Sequence, residues 1–203
     1  MVRVKICGVT SVRDAETALT AGADAIGLVF APSPRRVTLA AAERIARAVG
    51  PWITTVGVFV NEELLNVIRV ASTCRLSAIQ PHGDESVEYV RRLSPFKIIK
   101  AFRVGAGFEW GEVRRYEAAA FLFDTKAGGK RGGTGRTFDW SLLTKRKFLK
   151  PVILSGGLNP KNVRQAVKAV SPYGVDASSG VESSPGVKDA GLVREFIRNA
   201  KQI

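Results

Sequence analysis

One histidine, one methionine and two cysteines are all that the 203 residues contain of these types. The scarcity removes several chemistries at once. His82 alone cannot build a histidine-rich metal centre, and Cys7 and Cys74, far apart and without paired spacing, form neither a zinc motif nor a disulfide framework. Free thiols fit a reducing compartment. No apolar run approaches the roughly 18 residues that a membrane span needs. The chain also lacks a charged leader followed by an apolar stretch and cleavage site, and a Walker-type phosphate loop. The expectation is a cytoplasmic protein without a membrane partner or a metal, whose acid–base work falls to Asp, Glu, Cys, Lys or Tyr.

What is abundant is positive charge, a formal net +13. Clustered cations bind nucleic acid through counterion release, but here they are spread along the chain and mixed with acids, as in RDAETALTAG and DESVEYVRRL. The densest run is KRK at 145–147. A basic surface of this kind is expected to attract a small anionic substrate and not to dock a duplex.

Short β-rich runs alternate with helical spacing eight times. The runs are VRVKIC at 2–7, DAIGLVF at 24–30, ITTVGVFV at 53–60, LSAIQ at 76–80, FKIIKAF at 96–102, AAFLFD at 119–124, PVILSG at 151–156 and YGVDASS at 173–179. Ser11, Thr38 and Asn61 stand where helices would start, and Gly22 and Gly50 where two would end. Strands alternating with crossover helices imply a parallel sheet, and eight repeats predict a (β/α)8 TIM barrel, one domain over 1–203. VGAGFEWGEVRRYE, with three glycines, predicts a short or irregular fifth helix. The stretch KAGGKRGGTGRT at 126–137, with five glycines and four basic residues, is the expected lid.

In such a barrel the chemistry belongs at the C-terminal ends of the strands. Alternation puts Arg3, Lys5 and Cys7 on one face of the first strand. Cys7 is then either a small buried hydrophobe or a thiol whose ionisation nearby cations favour. Asp124 ends an apolar strand, where partial desolvation would suit a general acid, or where it would brace the glycine-rich loop that follows. LSGGLNPKNV and DASSGVESSPGVKD follow the last two strands, the loops that cradle phosphate in barrels acting on phosphorylated substrates. Arg35 and Arg36 in APSPRRV could grip a carboxylate, yet two arginines in a loop require no such role.

Taken together, KICG at 5–8, VGVFVN at 56–61, QPHG at 80–83, FDT at 123–125, GGTGRTFDW at 132–140, LSGGLNPKNV at 154–163 and VDASSGVE with PGVKD at 175–189 resemble phosphoribosylanthranilate isomerases. The resemblance implies an Amadori rearrangement in tryptophan biosynthesis, taking N-(5-phosphoribosyl)anthranilate to 1-(2-carboxyphenylamino)-1-deoxyribulose 5-phosphate without metal or organic cofactor. It implies Cys7 as the base acting at ribose C2 and Asp124 as the acid acting at the ring oxygen. Arg36 would lie near the anthranilate carboxylate and Asp176 would line the anthranilate side. The phosphate would rest around Gly156, Gly157, Ser178, Ser179 and Gly180. Either a monomer or a homodimer is compatible with it. Pro81 departs from the leucine more usual between Gln and His, and bears on the shape of the fourth loop, where His82 is expected to be structural. The rival readings are another phosphosugar barrel, such as the aldose isomerase of histidine biosynthesis, against which Cys7 argues, and a basic nucleic-acid-binding barrel. If 126–137 closes over substrate, shortening it lowers turnover in a steady-state assay, and unchanged kinetics would refute that role.

Overall fold

The computed structural model describes residues 1–125 and 137–202, so the expected lid falls almost wholly outside the described residues, at 126–136. Among the described residues eight strands form the main sheet: β1 Arg3–Cys7, β2 Ala25–Val29, β3 Thr54–Phe59, β4 Ala78–Pro81, β5 Ile99–Val104, β6 Ala120–Thr125, β7 Val152–Leu154 and β8 Gly174–Ala177. They are parallel neighbours in the order β4-β3-β2-β1-β8-β7-β6-β5, the closed succession of a (β/α)8 barrel. The helices are α1 Val12–Thr20, α2 Leu39–Val49, α3 Leu64–Thr73, α4 Val87–Arg91, α5 Trp110–Val113, α6 Ser141–Thr144, α7 Val163–Val170 and α8 Ala190–Lys201. Among the described residues none is long and apolar enough to cross a membrane.

Local chemistry explains most of these boundaries. Ser11 and Thr38 cap α1 and α2, their side chains accepting the N–H of Asp14 at 3.1 Å and of Ala41 at 3.2 Å. Asn61 does not start α3, which begins after Glu63. It instead holds φ 49°, and its side-chain oxygen accepts the Asp84 N–H at 2.7 Å, tying the third loop to the fourth. Beyond β8 the chain adds a hairpin, β9 Glu182–Ser184 with β10 Val187–Lys188, that the hydrophobic pattern does not announce.

Two cores follow from strand alternation. Val4 and Ile6 face the helices, as do Phe121 and Phe123, while Ile99, Ala101, Ala120, Leu122 and Ile153 pack inside the barrel. On the side where α5 and α6 have only four residues each, aromatic rings supply the bulk that longer helices would. Phe102, Phe108, Trp110, Phe123 and Phe148 meet stacked, tilted or edge-on at centroid separations of 4.7–6.2 Å.

The last seam, between β4 and β5, has little backbone pairing: one bridge, Ile79 with Ile98, where the Ile79 N–H donates to Lys97 O at 2.9 Å. A buried side chain completes it. Lys100 of β5 donates to Gly83 O at 2.9 Å, Pro81 O at 3.4 Å and Glu85 Oε2 at 2.8 Å. Glu85 also accepts the backbone N–H of Asn61 and Gly83. Pro81, lacking an N–H, extends β4 against Phe59 without breaking it. Lys100→Met, which strands Glu85 without its cation, is expected to cost about 3–5 kcal/mol in urea unfolding, and Lys100→Met/Glu85→Gln to recover part of that loss.

Candidate active site

Cys7, Gln80, Asp124, Ser155 and Asp176 all reach the same end of the barrel, and each is at most 8% exposed. Cys7 ends β1 and forms part of the wall of a cavity of about 360 Å³ together with Val58, Arg35, His82 and Ser178. Next to it, Gly8 holds φ 72°, and a Cβ there would lie 2.6 Å from Arg35 Cδ and 3.0 Å from Ser178 Oγ. The position therefore requires glycine on two counts, backbone angle and close approach.

Asp124 accepts the Thr125 N–H through Oδ1 at 2.7 Å. Its Oδ2 stands 3.2 Å from His82 Nε2, in an approach too oblique for a hydrogen bond. Gln80 Nε2 donates to His82 Nδ1 at 2.9 Å. With the amide in this orientation Nδ1 accepts, and Nε2 is the ring atom that faces Asp124. His82 thus borders both the Cys7 cavity and the Asp124 carboxylate, a more central place than loop bracing alone would give it.

The loops after β7 and β8 interlock behind Asp124. A Cβ on Gly156 would collide with Thr125 Oγ1 and lie 3.0 Å from Asp124 Oδ1, and one on Gly180 would collide with Leu158 O. Gly157 presents its carbonyl to the side-chain amides of Asn159 and Asn162. Ser178, Ser179 and Gly180 are partly exposed at the end of β8, the last two beginning a single 3-10 turn, Ser179–Val181.

Charge inside the mouth is arranged in buried pairs that alternation only half revealed. Lys5, on the Cys7 face of β1, is 4% exposed and donates to Asp176 Oδ1 at 3.0 Å, while Ser155 Oγ donates to Oδ2 at 3.3 Å. Burial alone would push the Lys5 ammonium down, but Asp176 and Cys7 outweigh it and hold it above its ordinary value. For Cys7 the balance goes the other way from what neighbouring cations alone would give. Burial pushes the thiol up, and the opposing pull of Lys5 and Lys188 does not fully offset it. The strand face shows which cations are near; it does not show how little water remains.

Of the two loop arginines, Arg35 is the one fixed by the protein. It grips Glu182 with two bonds, Nε to Oε1 at 2.8 Å and Nη2 to Oε2 at 2.7 Å. Lys188 reaches Glu182 Oε1 at 2.7 Å and Ser178 O at 3.3 Å. Arg36 is exposed and lies outside the cavity wall. Glu182 and Lys188 carried no sequence signal, because a hairpin of two short strands has no periodicity to read.

The sequence profile of the family described as N-(5'-phosphoribosyl)anthranilate (PRA) isomerase matches residues 4–199. The chain is 49% identical over 202 residues to the N-(5'-phosphoribosyl)anthranilate isomerase of Geobacter metallireducens, covering 99% of this chain and 100% of that one. It is similar in structure to the phosphoribosyl anthranilate isomerase of Thermotoga maritima, with a TM-score of 0.90, 42% identity and full coverage of both chains. A crystal structure of such an isomerase in complex with reduced 1-(o-carboxyphenylamino)-1-deoxyribulose 5-phosphate has a TM-score of 0.86, again with 42% identity and full coverage.

The Glu182 cluster makes a pH prediction. Burial pushes the Glu182 carboxyl up, but the hydrogen bonds from Arg35 and Lys188 outweigh it and hold the group below its ordinary value. A carboxylate depressed in the folded state adds stability that is complete above its unfolded value, about 4.3, and is lost as pH falls through the folded one. Glu182→Gln is expected to lower stability at neutral pH by about 1.5–3 kcal/mol and to flatten the acid limb below about pH 4.5, read by denaturant unfolding across pH.

Proposed function

The chain belongs to the N-(5'-phosphoribosyl)anthranilate isomerase family, and from that premise we propose that Cys7 and Asp124 carry the two proton transfers of its reaction. The enzyme is an aldose–ketose isomerase of tryptophan biosynthesis. Its substrate is a furanosylamine bearing a phosphate and an anthranilate carboxylate, two anionic groups that a cationic surface helps to gather.

The chemistry asks for an acid at the ring oxygen and a base at C2. Asp124, protonated, donates to the ring oxygen as the C1–O bond breaks, and the nitrogen lone pair forms the Schiff base. Cys7, as thiolate, then takes the proton from C2, the C–H electrons becoming the C1–C2 double bond of the enolamine. Tautomerisation moves the C2 hydroxyl proton to C1 and leaves the ketone. The observation that carries this reading is that a thiol and a carboxyl, each buried at a strand end, are linked by one histidine, which shares the cavity wall with the thiol and meets the carboxyl at 3.2 Å. Burial of both groups limits competing proton exchange with bulk solvent.

The phosphate site is assigned to Gly156, Gly157, Ser178, Ser179 and Gly180, where two small-residue loops interlock and all but Gly156 stay partly exposed. Asp176 forms part of the floor beneath the anthranilate side. The anthranilate carboxylate is assigned to Arg36, which is exposed on the loop after β2 and would have to turn inward to reach it. The two buried free cysteines accord with a reducing, cytoplasmic setting.

Purified protein should consume phosphoribosylanthranilate, followed by the loss of anthranilate-group fluorescence. Cys7→Ala and Asp124→Asn are each expected to lose about 10²–10⁴-fold in kcat with unchanged circular dichroism. Wild-type turnover in either would remove that residue from its role. Arg36→Ala is expected to raise KM about tenfold with kcat nearly constant, the mark of a contact made equally in ground and transition states.

A further inference from the structure

Cys7 has to work as a thiolate in a place where burial resists ionisation. The feature beneath it that counters this is geometric. Lys5 and Cys7 lie on the same inward face of β1, and both turn toward Gly27 on β2, the register partner of Cys7. A Cβ on Gly27 would stand 2.6 Å from Cys7 Sγ and 3.1 Å from Lys5 Cε, so the thiol and the lysine side chain flank one vacated side-chain position. Lys5 is anchored there by Asp176, whose second oxygen is taken by Ser155.

We propose that Lys5 is a positioning residue that holds Cys7 as the thiolate, its ammonium divided between the Asp176 carboxylate and the Cys7 sulfur across the space that Gly27 leaves. In this arrangement Asp176 acts in two opposite ways. It keeps Lys5 charged and in place, and it competes with the sulfur for the same ammonium. The other charged groups felt at Cys7 are Lys188 of β10 and Arg35 of the loop after β2, with His82 on the same cavity wall. Arg35 and Lys188 are both engaged by Glu182, which leaves Lys5 as the cation whose partner can be exchanged for sulfur without breaking the hairpin. The inference rests on the reading of Cys7 as the base, and its test does not use the isomerase reaction.

The test is the pH dependence of alkylation by iodoacetamide in a Cys74→Ala background, where Cys7 is the one remaining thiol. Iodoacetamide reacts with the thiolate, releasing iodide, so its rate follows the thiolate fraction. Lys5→Met is expected to slow alkylation at pH 7 about tenfold and move the profile to higher pH. Asp176→Asn is expected to speed it, because the negative charge that opposes the thiolate is gone while the amide oxygen can still accept from Lys5 and hold it in place. A merely structural disturbance would not send the two variants in opposite directions. Should Lys5→Met alone fail to fold, because Asp176 is left without its cation, the comparison of Asp176→Asn with Lys5→Met/Asp176→Asn decides, the double variant being the slower. Superimposable profiles in that comparison, or a slowing in Asp176→Asn, would overturn the proposal. Full turnover in Cys7→Ala would overturn the base assignment instead, whatever the alkylation profiles show.

Discussion

An ammonium taken out of water must be met by a carboxylate, and in this barrel that requirement settles the position of three loops. Lys5 with Asp176 joins β1 to β8 under the active site. Lys188 with Glu182 fixes the hairpin after β8 and, through Arg35, fastens the loop after β2 to it. Lys100 with Glu85 folds the fourth loop against β5. Each lysine is nearly inaccessible, so none of these bonds is a surface ion pair of negligible weight. Removing one member would leave an uncompensated charge, and that asymmetry gives each loop one conformation where a glycine-rich turn would otherwise have many.

The same pairs decide what the mouth of the barrel can do chemically. Glu182 offsets one of the two charges of Arg35 and Lys188, and Asp176 offsets that of Lys5, so these five groups leave a single net positive charge at the mouth. The backbone at Gly8, Gly156 and Gly180 passes so close to neighbouring groups that the loops can touch, which brings the thiol, the imidazole and the carboxylate to a common rim. Among the described residues, Gln80 Oε1 and Thr125 Oγ1 are also buried without partners. Such atoms commonly mark where a ligand's own groups complete the bonding.

The strands were legible because alternation and β-branched runs are local properties, and every predicted run overlaps an observed strand. Ser11 and Thr38 were legible as caps for the same reason. Asn61 was not, since its side chain is committed to Asp84 on another loop, a contact that no window of sequence contains. Cys7, Asp124 and the two final loops could be placed by strand end and glycine content. The direction of the Cys7 shift could not, because alternation identifies neighbours and says nothing of how far water has been excluded. Arg35 and Arg36 are adjacent and chemically alike. Only the turn of the loop puts one on Glu182 and the other in solvent. The role of Glu182 depends on a hairpin with one bulged pairing, too short to leave a pattern.

The scant backbone pairing between β4 and β5 has a mechanical meaning. The chain consists of two four-strand halves joined along two edges. One edge, β1 against β8, is a regular ladder with four paired positions. The other has a single bridge, and a buried lysine bonded to the facing loop supplies what the backbone does not. Cys7, Lys5 and Asp176 sit on the laddered edge, while His82 follows β4 at the edge held by side chains. The thiol is therefore placed by backbone pairing, and the imidazole next to Asp124 by the loop that one buried lysine holds.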